Sequence, residues 1–181
     1  MTASLHVAEG VDGGFTGVYP VLKALEDRGQ VRRGYFVAGL GAAQFALPGA
    51  VDRLRSCRDL QEDDLAPVVL AATDPAQPYG AALPWPESPG RPARSAGAFV
   101  VLVGGEPVAH LERGARSLAT FARTLDHPHW AEGLRGLVTS GRLRRIELAK
   151  VDGAPVGDSP VAEHLRAVGF VDGYRGLVLR P

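Results

Sequence analysis

The spacing of apolar residues divides the first third of the chain into a helix, two short strands and a second helix. A helix is predicted from Thr16 to about Arg28, because apolar residues recur at helical spacing and a glycine follows as a stop. Strand-like runs at 30–37 and 43–47 predict a hairpin, and Pro48 opens the second helix. This helix–hairpin–helix order is typical of the second half of a winged helix.

A proline-rich stretch follows, from an apolar run at Val69 to Pro86. Each proline fixes its own φ and keeps the preceding residue out of the helical region, so the backbone at Asp74 and Trp85 is restricted. A segment this stiff can place a carboxylate and aromatic rings with little further loss of entropy. We therefore predict a rigid connector that carries Asp74, Tyr79 and Trp85.

The pattern beyond residue 95 predicts a strand-rich module. Gly104-Gly105 is a strong hairpin signal between an apolar strand at 96–103 and a returning strand at 107–113. The other predicted elements are a short strand at 117–121, a helix at 129–140, a strand at 143–151, a helix at 161–168 and a final strand at 173–180. Five or six strands with two inserted helices, antiparallel by their hairpins, predict a small α+β barrel.

The chain is thus expected to contain two domains of the α+β class. Residues 1–64 would form a partial winged-helix module, and residues 65–181 would form an antiparallel β-barrel with inserted helices. Two helices that should precede the first helix in a whole winged helix are not found in the pattern, and without them the module is not expected to close its core alone. We therefore expect that the segment packs on the second module, packs on a partner chain, or is what remains of a longer polypeptide.

Composition and charge narrow the possible chemistry. Twenty Lys and Arg balance twenty Asp and Glu, so no strong global field attracts a polyanion. Cys57 is the lone cysteine, which excludes an intramolecular disulfide and favours a reducing cytoplasm. No apolar run approaches the length of a membrane span. His127-Pro-His129 has a metal-like spacing without a third ligand nearby, so neither a metal nor a cofactor is predicted.

Three stretches resemble a known family. They are RRGYFVAGLGAAQFALP at 32–48, LAATDPAQPYGAALPWP at 70–86 and GAFVVLVGGEPVAHLERG at 97–114. Together they look like the C-terminal region of Lhr, the bacterial "large helicase-related" proteins. The resemblance covers nearly the whole chain, and strings of this length are specific.

This resemblance implies a role in DNA repair. Lhr proteins resemble helicases that move along single-stranded DNA, with an added C-terminal region of winged helices and a β-barrel. That region is similar to winged-helix DNA glycosylases, and uracil-DNA glycosylase activity is associated with it. This chain departs from the family by having neither a G-x-x-x-x-G-K-[ST] phosphate loop nor a DEAD-type box, so it cannot be an ATP-driven motor by itself.

A glycosylase needs a carboxylate near the sugar and a stacking or amide contact to the extruded base. Asp74, with Tyr79 and Trp85, is one candidate set, and Asp172 is a second candidate acid. Simpler interpretations compete with both: Asp74 can cap a turn, Trp85 can belong to the core, and Asp172 can belong to an Asp-Gly turn.

Nucleic-acid contacts are predicted at the densest basic groups and at one amide. Arg32 and Arg33 lie on the hairpin, and Gln44 lies on its return strand, where an exposed structural position is the competing interpretation. The remaining candidates form a basic run at 142–145. In an extended strand Arg142 and Arg144 would share one face and Arg145 would lie on the other, where they could bind phosphates. A solvated strand edge, kept from aggregating by its charge, would explain the three arginines equally well.

Three hypotheses remain open on the sequence. The chain is a nucleic-acid-binding accessory module of an Lhr-like helicase, acting on DNA, single-stranded by preference, with the motor supplied in cis or in trans. Alternatively it is a monofunctional DNA glycosylase with Asp74 or Asp172 as the acid. The third possibility is an oligomerisation domain of the helicase, suggested by the incomplete winged helix.

Overall fold

The computed structural model describes residues 14–38, 43–57 and 65–181, which divide into two units. The first unit contains the described residues up to 57 together with Pro78–Pro84, and the second contains 65–77 and Trp85–Pro181. The predicted boundary at 64 falls outside the described residues. Within the described ranges, no helix has the length and apolarity needed to cross a bilayer.

The first unit has the predicted helix–hairpin–helix order. Helix α1 spans Gly14–Asp27, strands β1 (Arg32–Gly34) and β2 (Gln44–Ala46) pair antiparallel, and helix α2 spans Pro48–Ser56. Helix α1 ends in a Schellman motif around Gly29, whose φ is +70°. The Gly29 amide donates to the Glu26 carbonyl at 2.8 Å and the next amide donates to the Leu25 carbonyl at 2.9 Å.

The described residues of the first unit form a small apolar core. Three of them are buried in it, namely Leu22 of α1, Val31 before β1 and Phe45 of β2. Partly buried side chains surround them: Phe15, Val18, Tyr19, Leu25 and Ala43. The rings of Tyr19 and Phe45 meet edge to face at 6.0 Å, and this contact helps to hold the hairpin against α1.

The second unit is built on a six-stranded sheet in the order β3-β4-β5-β6-β8-β9. These strands span Val68–Ala71, Phe99–Val103, Glu106–Leu111, Ser117–Thr120, Lys150–Val151 and Ala154–Pro155. The hairpin predicted at Gly104-Gly105 is confirmed, since β4 and β5 pair antiparallel on either side of it, with both glycines at positive φ.

A second, three-stranded sheet in the same unit has the order β10-β11-β7. Strand β7 spans Ile146–Leu148, β10 spans Val171–Gly173 and β11 spans Gly176–Leu179. Helix α4 spans Ala162–Ala167 and follows a 3₁₀ turn at Val156–Asp158. The predicted single strand at 143–151 is therefore divided: β7 joins this sheet and β8 joins the larger one.

Helix α3, which spans Trp130–Thr139, seals the core of the second unit. Trp130, Leu134 and Leu137 are almost wholly inaccessible to solvent. Gly133 faces the sheet, where an added Cβ would lie 2.8 Å from the Val69 side chain. The absence of a side chain there lets the helix axis approach β3 and β4 closely.

Two features of the predicted barrel differ in the structure. The α+β class is confirmed, but the described strands form open sheets and no closed barrel is found among them. The pairing is also not uniformly antiparallel, because β6 and β8 run parallel. These two strands are separated in the chain by the crossover that contains α3, and such a connection returns the second strand in the same direction as the first.

Candidate nucleic-acid interface

The hairpin of the first unit is locked by a side chain. Gln44 is buried, and its Oε1 accepts from the amides of Phe36 and Val37, both at 2.8 Å. Its Nε2 donates to the Val37 carbonyl at 2.9 Å. The amide thus replaces main-chain pairing just beyond the last ladder pair, Gly34 with Gln44. Gln44 is therefore buried, in contrast to the exposed structural position that was the competing interpretation from the sequence.

The two arginines of β1 have different surroundings. Arg33 donates to the Tyr19 hydroxyl at 3.4 Å, and its Nε lies 3.4 Å from a carboxylate oxygen of Glu26. Its charge is therefore partly balanced against α1. Arg32 is exposed on the opposite side of the strand. Of this pair, Arg32 is the more available to an incoming phosphate.

Asp74 takes part in a turn. Its Oδ1 accepts from the Ala76 amide at 2.8 Å, and its carbonyl accepts from the Gln77 amide at 3.0 Å. Arg94 reinforces the turn by donating to the Gln77 carbonyl at 2.5 Å and to the Thr73 carbonyl at 3.3 Å. This geometry corresponds to the turn-capping interpretation of Asp74.

The two aromatic candidates of the proline-rich stretch fall in different units. Tyr79 forms a short bridge with Leu83 inside the first unit. Trp85 belongs to the second unit, where its ring stacks on Phe121 at 6.2 Å and meets His110 edge to face at 5.5 Å. Trp85 is partly buried and belongs to an aromatic cluster with Phe121 and His110.

His110 lies at the centre of that cluster and is buried. Burial lowers its pKa, because the protonated ring loses its hydration, and the hydrogen bond to Ala93 opposes this shift. The Nε2 atom lies 3.0 Å from the Ala93 carbonyl. Nδ1 has no hydrogen-bond partner within the described part of the chain. The ring is therefore a neutral core group.

Asp172, the second candidate acid, is exposed on β10. Its Oδ1 accepts from Arg166 of α4 at 2.9 Å. Like the first candidate, this carboxylate has a structural partner, and the two acids differ in that Asp172 is exposed whereas Asp74 is half-buried.

The basic run at 142–145 does not form an extended strand. Arg142 donates to the Val69 carbonyl at 3.1 Å, and its guanidinium lies 5.0 Å from the centre of the Phe99 ring. It is thus tied to the edge of the larger sheet. Arg144 is exposed, and Arg145 contacts Glu147 at 3.3 Å. The predicted shared face of Arg142 and Arg144 is wrong, because the chain bends at both residues before β7 begins.

One surface cleft gathers basic groups from separate parts of the second unit. It has a volume of about 480 Å³ and is lined by Gly114, Arg116, Arg145, Glu147, Tyr174 and Arg175. We call it the arginine cleft. Only Arg145 among these residues was singled out from the sequence. The others escaped notice because Arg116 and the Tyr174-Arg175 turn are remote from it in the chain, although a glycine on each side of that turn marks a tight hairpin.

The histidine pair at 127–129 has no metal-binding geometry. The Nδ1 atom of His129 lies 3.3 Å from Glu132 on the surface of α3. Among the residues that the structure describes, no three acidic, histidine or cysteine side chains are grouped closely enough to hold a metal ion.

The first unit has the order and hairpin of the second half of a winged helix, which places this unit in the winged-helix class. A family model described as "Large helicase-related protein, winged-helix domain" matches residues 1–66. The chain is also 46% identical over 186 residues to a Mycolicibacterium smegmatis protein named "Lhr helicase/ probable uracil glycosylase". It is 36% identical over 177 residues to an Escherichia coli protein named "Lhr helicase/uracil glycosylase".

These matches confirm the resemblance that the sequence motifs carried: the chain corresponds to a C-terminal region of the Lhr family. The alignments cover 96% and 94% of the chain but only 12% of the length of each relative. The chain therefore spans about an eighth of the proteins that it matches.

Proposed function

We propose that this chain is a nucleic-acid-binding accessory module of an Lhr-type helicase that acts in DNA repair. The observation that carries the proposal is the match of residues 1–66 to the winged-helix domain of that family. The ATP-driven motor would belong to other parts of the helicase, in cis or in trans. The module would hold DNA, single-stranded by preference, while the motor moves.

The hairpin of the first unit supplies a physical basis for such binding. Because the Gln44 amide fixes Phe36 and Val37, this described part of the hairpin needs little further ordering when a ligand arrives. Arg32 and Tyr35 project from it into solvent, and Tyr35 is 83% exposed. The Arg32 guanidinium could bind a backbone phosphate while the Tyr35 ring packs against a sugar or a base.

Binding is tested by fluorescence anisotropy with labelled single-stranded and duplex DNA over a series of salt concentrations. We expect affinity to fall as salt rises, because phosphate contacts release counterions. The variant Arg32→Glu should weaken binding, whereas Arg28→Glu, at an exposed position after α1, is the matched control. A chain that ignores both DNA forms at low salt contradicts the proposal.

A glycosylase activity is the second candidate, and the names of both relatives favour it. Both contain the words "uracil glycosylase". The proposed acids are Asp74 and Asp172. A uracil-containing oligonucleotide would give an alkali-labile product if either carboxylate acts on the sugar.

The substitutions Asp74→Asn and Asp172→Asn test this activity. Asparagine retains the side-chain oxygen that accepts from the Ala76 amide, so Asp74→Asn keeps the turn and removes only the ionisable group. Product formed equally by both variants and by the unaltered chain would exclude these two acids. Product formed by none of them would leave binding as the function.

A third proposal is that the first unit takes part in self-association. Several large apolar side chains of this unit are exposed: Val21, Tyr35, Val37, Leu47 and Leu54. Light scattering of the purified chain over a range of concentrations tests this proposal, and a strict monomer at high concentration would remove it.

A further inference from the structure

The arginine cleft holds an excess of positive charge on a rigid surface. Arg116, Arg145 and Arg175 line it together with a single acid, Glu147. Its volume of about 480 Å³ lies within the range of roughly 300–1,000 Å³ that is usual for ligand sites. From the sequence, only Arg145 of these arginines was expected to contact nucleic acid.

The backbone around the cleft is fixed by hydrogen bonds between its segments. The Arg116 carbonyl accepts from the amides of Ala149, at 2.8 Å, and Lys150, at 3.2 Å. Strand β7, which follows Arg145, pairs with β11 in the register Val178 to Glu147. The three arginines therefore project from segments that cannot easily separate to relieve their mutual repulsion.

The hairpin between β10 and β11 sets the position of Tyr174 and Arg175. Gly176 has a φ of +136° and passes so close to the Leu148 carbonyl that an added Cβ would collide with it. An added Cβ on Gly173 would lie 2.6 Å from the Val178 side chain. Two glycines thus hold the turn against the sheet, and Tyr174 at its tip is 100% exposed. An aromatic ring that is wholly exposed to water on a rigid turn would be stabilised by stacking against a planar ligand group.

The ion pair inside the cleft is weak enough to be displaced. Arg145 and Glu147 are 3.3 Å apart, with side chains 60% and 32% exposed, and solvent screens a pair this exposed so that it contributes little. Arg116 and Arg175 are exposed and make no ion pair with any other described residue. All three guanidiniums can therefore bind an anionic ligand with little reorganisation.

We propose that the arginine cleft binds single-stranded DNA, with backbone phosphates on Arg116, Arg145 and Arg175 and one base stacked on Tyr174. Basic groups that follow a backbone beside an exposed aromatic ring are the usual features of single-strand binding. A duplex would not satisfy the ring, because its base faces are already stacked. The inference rests on the proposed DNA binding and places a second contact in the second unit.

The experiment uses the full chain with fluorescein-labelled oligo-dT and with an abasic oligomer of equal length. Tyr174→Ala should weaken oligo-dT binding at least about fivefold and leave abasic binding unchanged, because only the former has bases to stack. The double variant Arg116→Gln/Arg175→Gln should weaken both about tenfold at low salt and reduce the salt slope by about 1.4, since each single-strand phosphate contact contributes about 0.7.

The matched control is Arg91→Gln/Arg135→Gln, which removes the same charge from two exposed arginines outside the cleft. The three substituted cleft side chains are all exposed, so circular dichroism should show each variant folded. Poly-glutamate and unlabelled DNA are compared as competitors for labelled oligo-dT. If both compete equally and Tyr174→Ala does not weaken binding, the cleft binds anions in general and the inference is wrong.

The outcomes separate this inference from the proposed function. If Arg32→Glu weakens DNA binding and the cleft variants do not, the proposed function stands and the inference about the arginine cleft is wrong. If only the cleft variants lose DNA binding, the inference about the arginine cleft stands and the proposed contact at the hairpin is wrong. An unaltered chain that binds no DNA at low salt would overturn both.

Discussion

The two units differ most in how much apolar surface each one buries. Among the described residues, the first unit encloses Leu22, Val31 and Phe45, whereas the second encloses a cluster that extends from Val101 to Leu179 and includes all of the inner face of α3. Ordering a backbone costs about 1–2 kcal/mol per residue, so a core of three buried residues offsets little of that cost. The first unit is therefore expected to have the lower local stability.

This difference has a consequence for function. The second unit can present the arginine cleft on a rigid surface without help. The first unit presents its hairpin from a small core, and the Gln44 amide compensates locally by fixing the part of the hairpin next to the core. A domain of low stability is stabilised when a ligand binds to its folded form, so the first unit is expected to gain stability on binding.

Truncation of a core leucine should give the largest effect and the sharpest contrast. Leu134→Ala should destabilise the second unit by about 2–5 kcal/mol, because a wholly buried leucine leaves a cavity. Denaturant unfolding followed by tryptophan fluorescence measures it, since Trp85 and Trp130 both lie in that unit. Leu22→Ala is the matched change in the first unit and should leave the tryptophan transition in place. Equal shifts for both variants would mean that the units unfold together.

Removal of the hairpin lock should have the next largest effect. Gln44→Ala leaves the part-buried amides of Phe36 and Val37 without their side-chain acceptor. A fully buried donor left without an acceptor costs about 1–3 kcal/mol, and these amides should cost less because water can reach them. Hydrogen exchange at these two amides should accelerate accordingly. Gln30→Ala removes the same side chain from an exposed position and should change nothing. Unchanged exchange in Gln44→Ala would show that the hairpin does not depend on this amide.

His110 should make the stability of the second unit depend on pH. Its pKa is lowered in the folded state, chiefly by burial, from the ordinary value of 6.5. Below that value the unfolded chain takes up a proton that the folded chain resists, so stability falls as pH drops, by at most about 1.4 kcal/mol per pH unit. Above it the contribution is constant.

Unfolding measured from neutral to mildly acidic pH tests this effect, with His110→Gln as the variant. The substitution should flatten the pH dependence, whereas His129→Gln, at an exposed position, should retain it. A profile that is the same in all three proteins would contradict the buried neutral ring.

The smallest effect is expected at the exposed ion pair of Arg166 and Asp172. Their side chains are 43% and 80% exposed, so Asp172→Asn should change stability by less than about 1 kcal/mol. Denaturant unfolding gives this value. A larger loss would show that Asp172 holds α4 to β10, and any loss of glycosylase product in this variant would then need a stability correction.

Much of the local structure followed from periodicity and turn chemistry. The helix before Gly29, the hairpin at Gly104-Gly105 and the helix from Trp130 were all predictable, because each depends on neighbouring residues and on glycine at positive φ. The division of the strand predicted at 143–151 was not predictable. The local pattern is the same whether one sheet or two receive the strand, and only the partners β11 and β6 decide it.

The candidate site shows the same division. The sequence by itself determined the family, the helix–hairpin–helix order and the basic character of the residues around Arg145, because these depend on residue identity and short-range spacing. Only the tertiary structure decided that Gln44 is consumed inside the hairpin and that Arg116, Arg145 and Arg175 line one cleft. Such assignments depend on contacts between distant segments, and these form only when the chain buries its apolar faces.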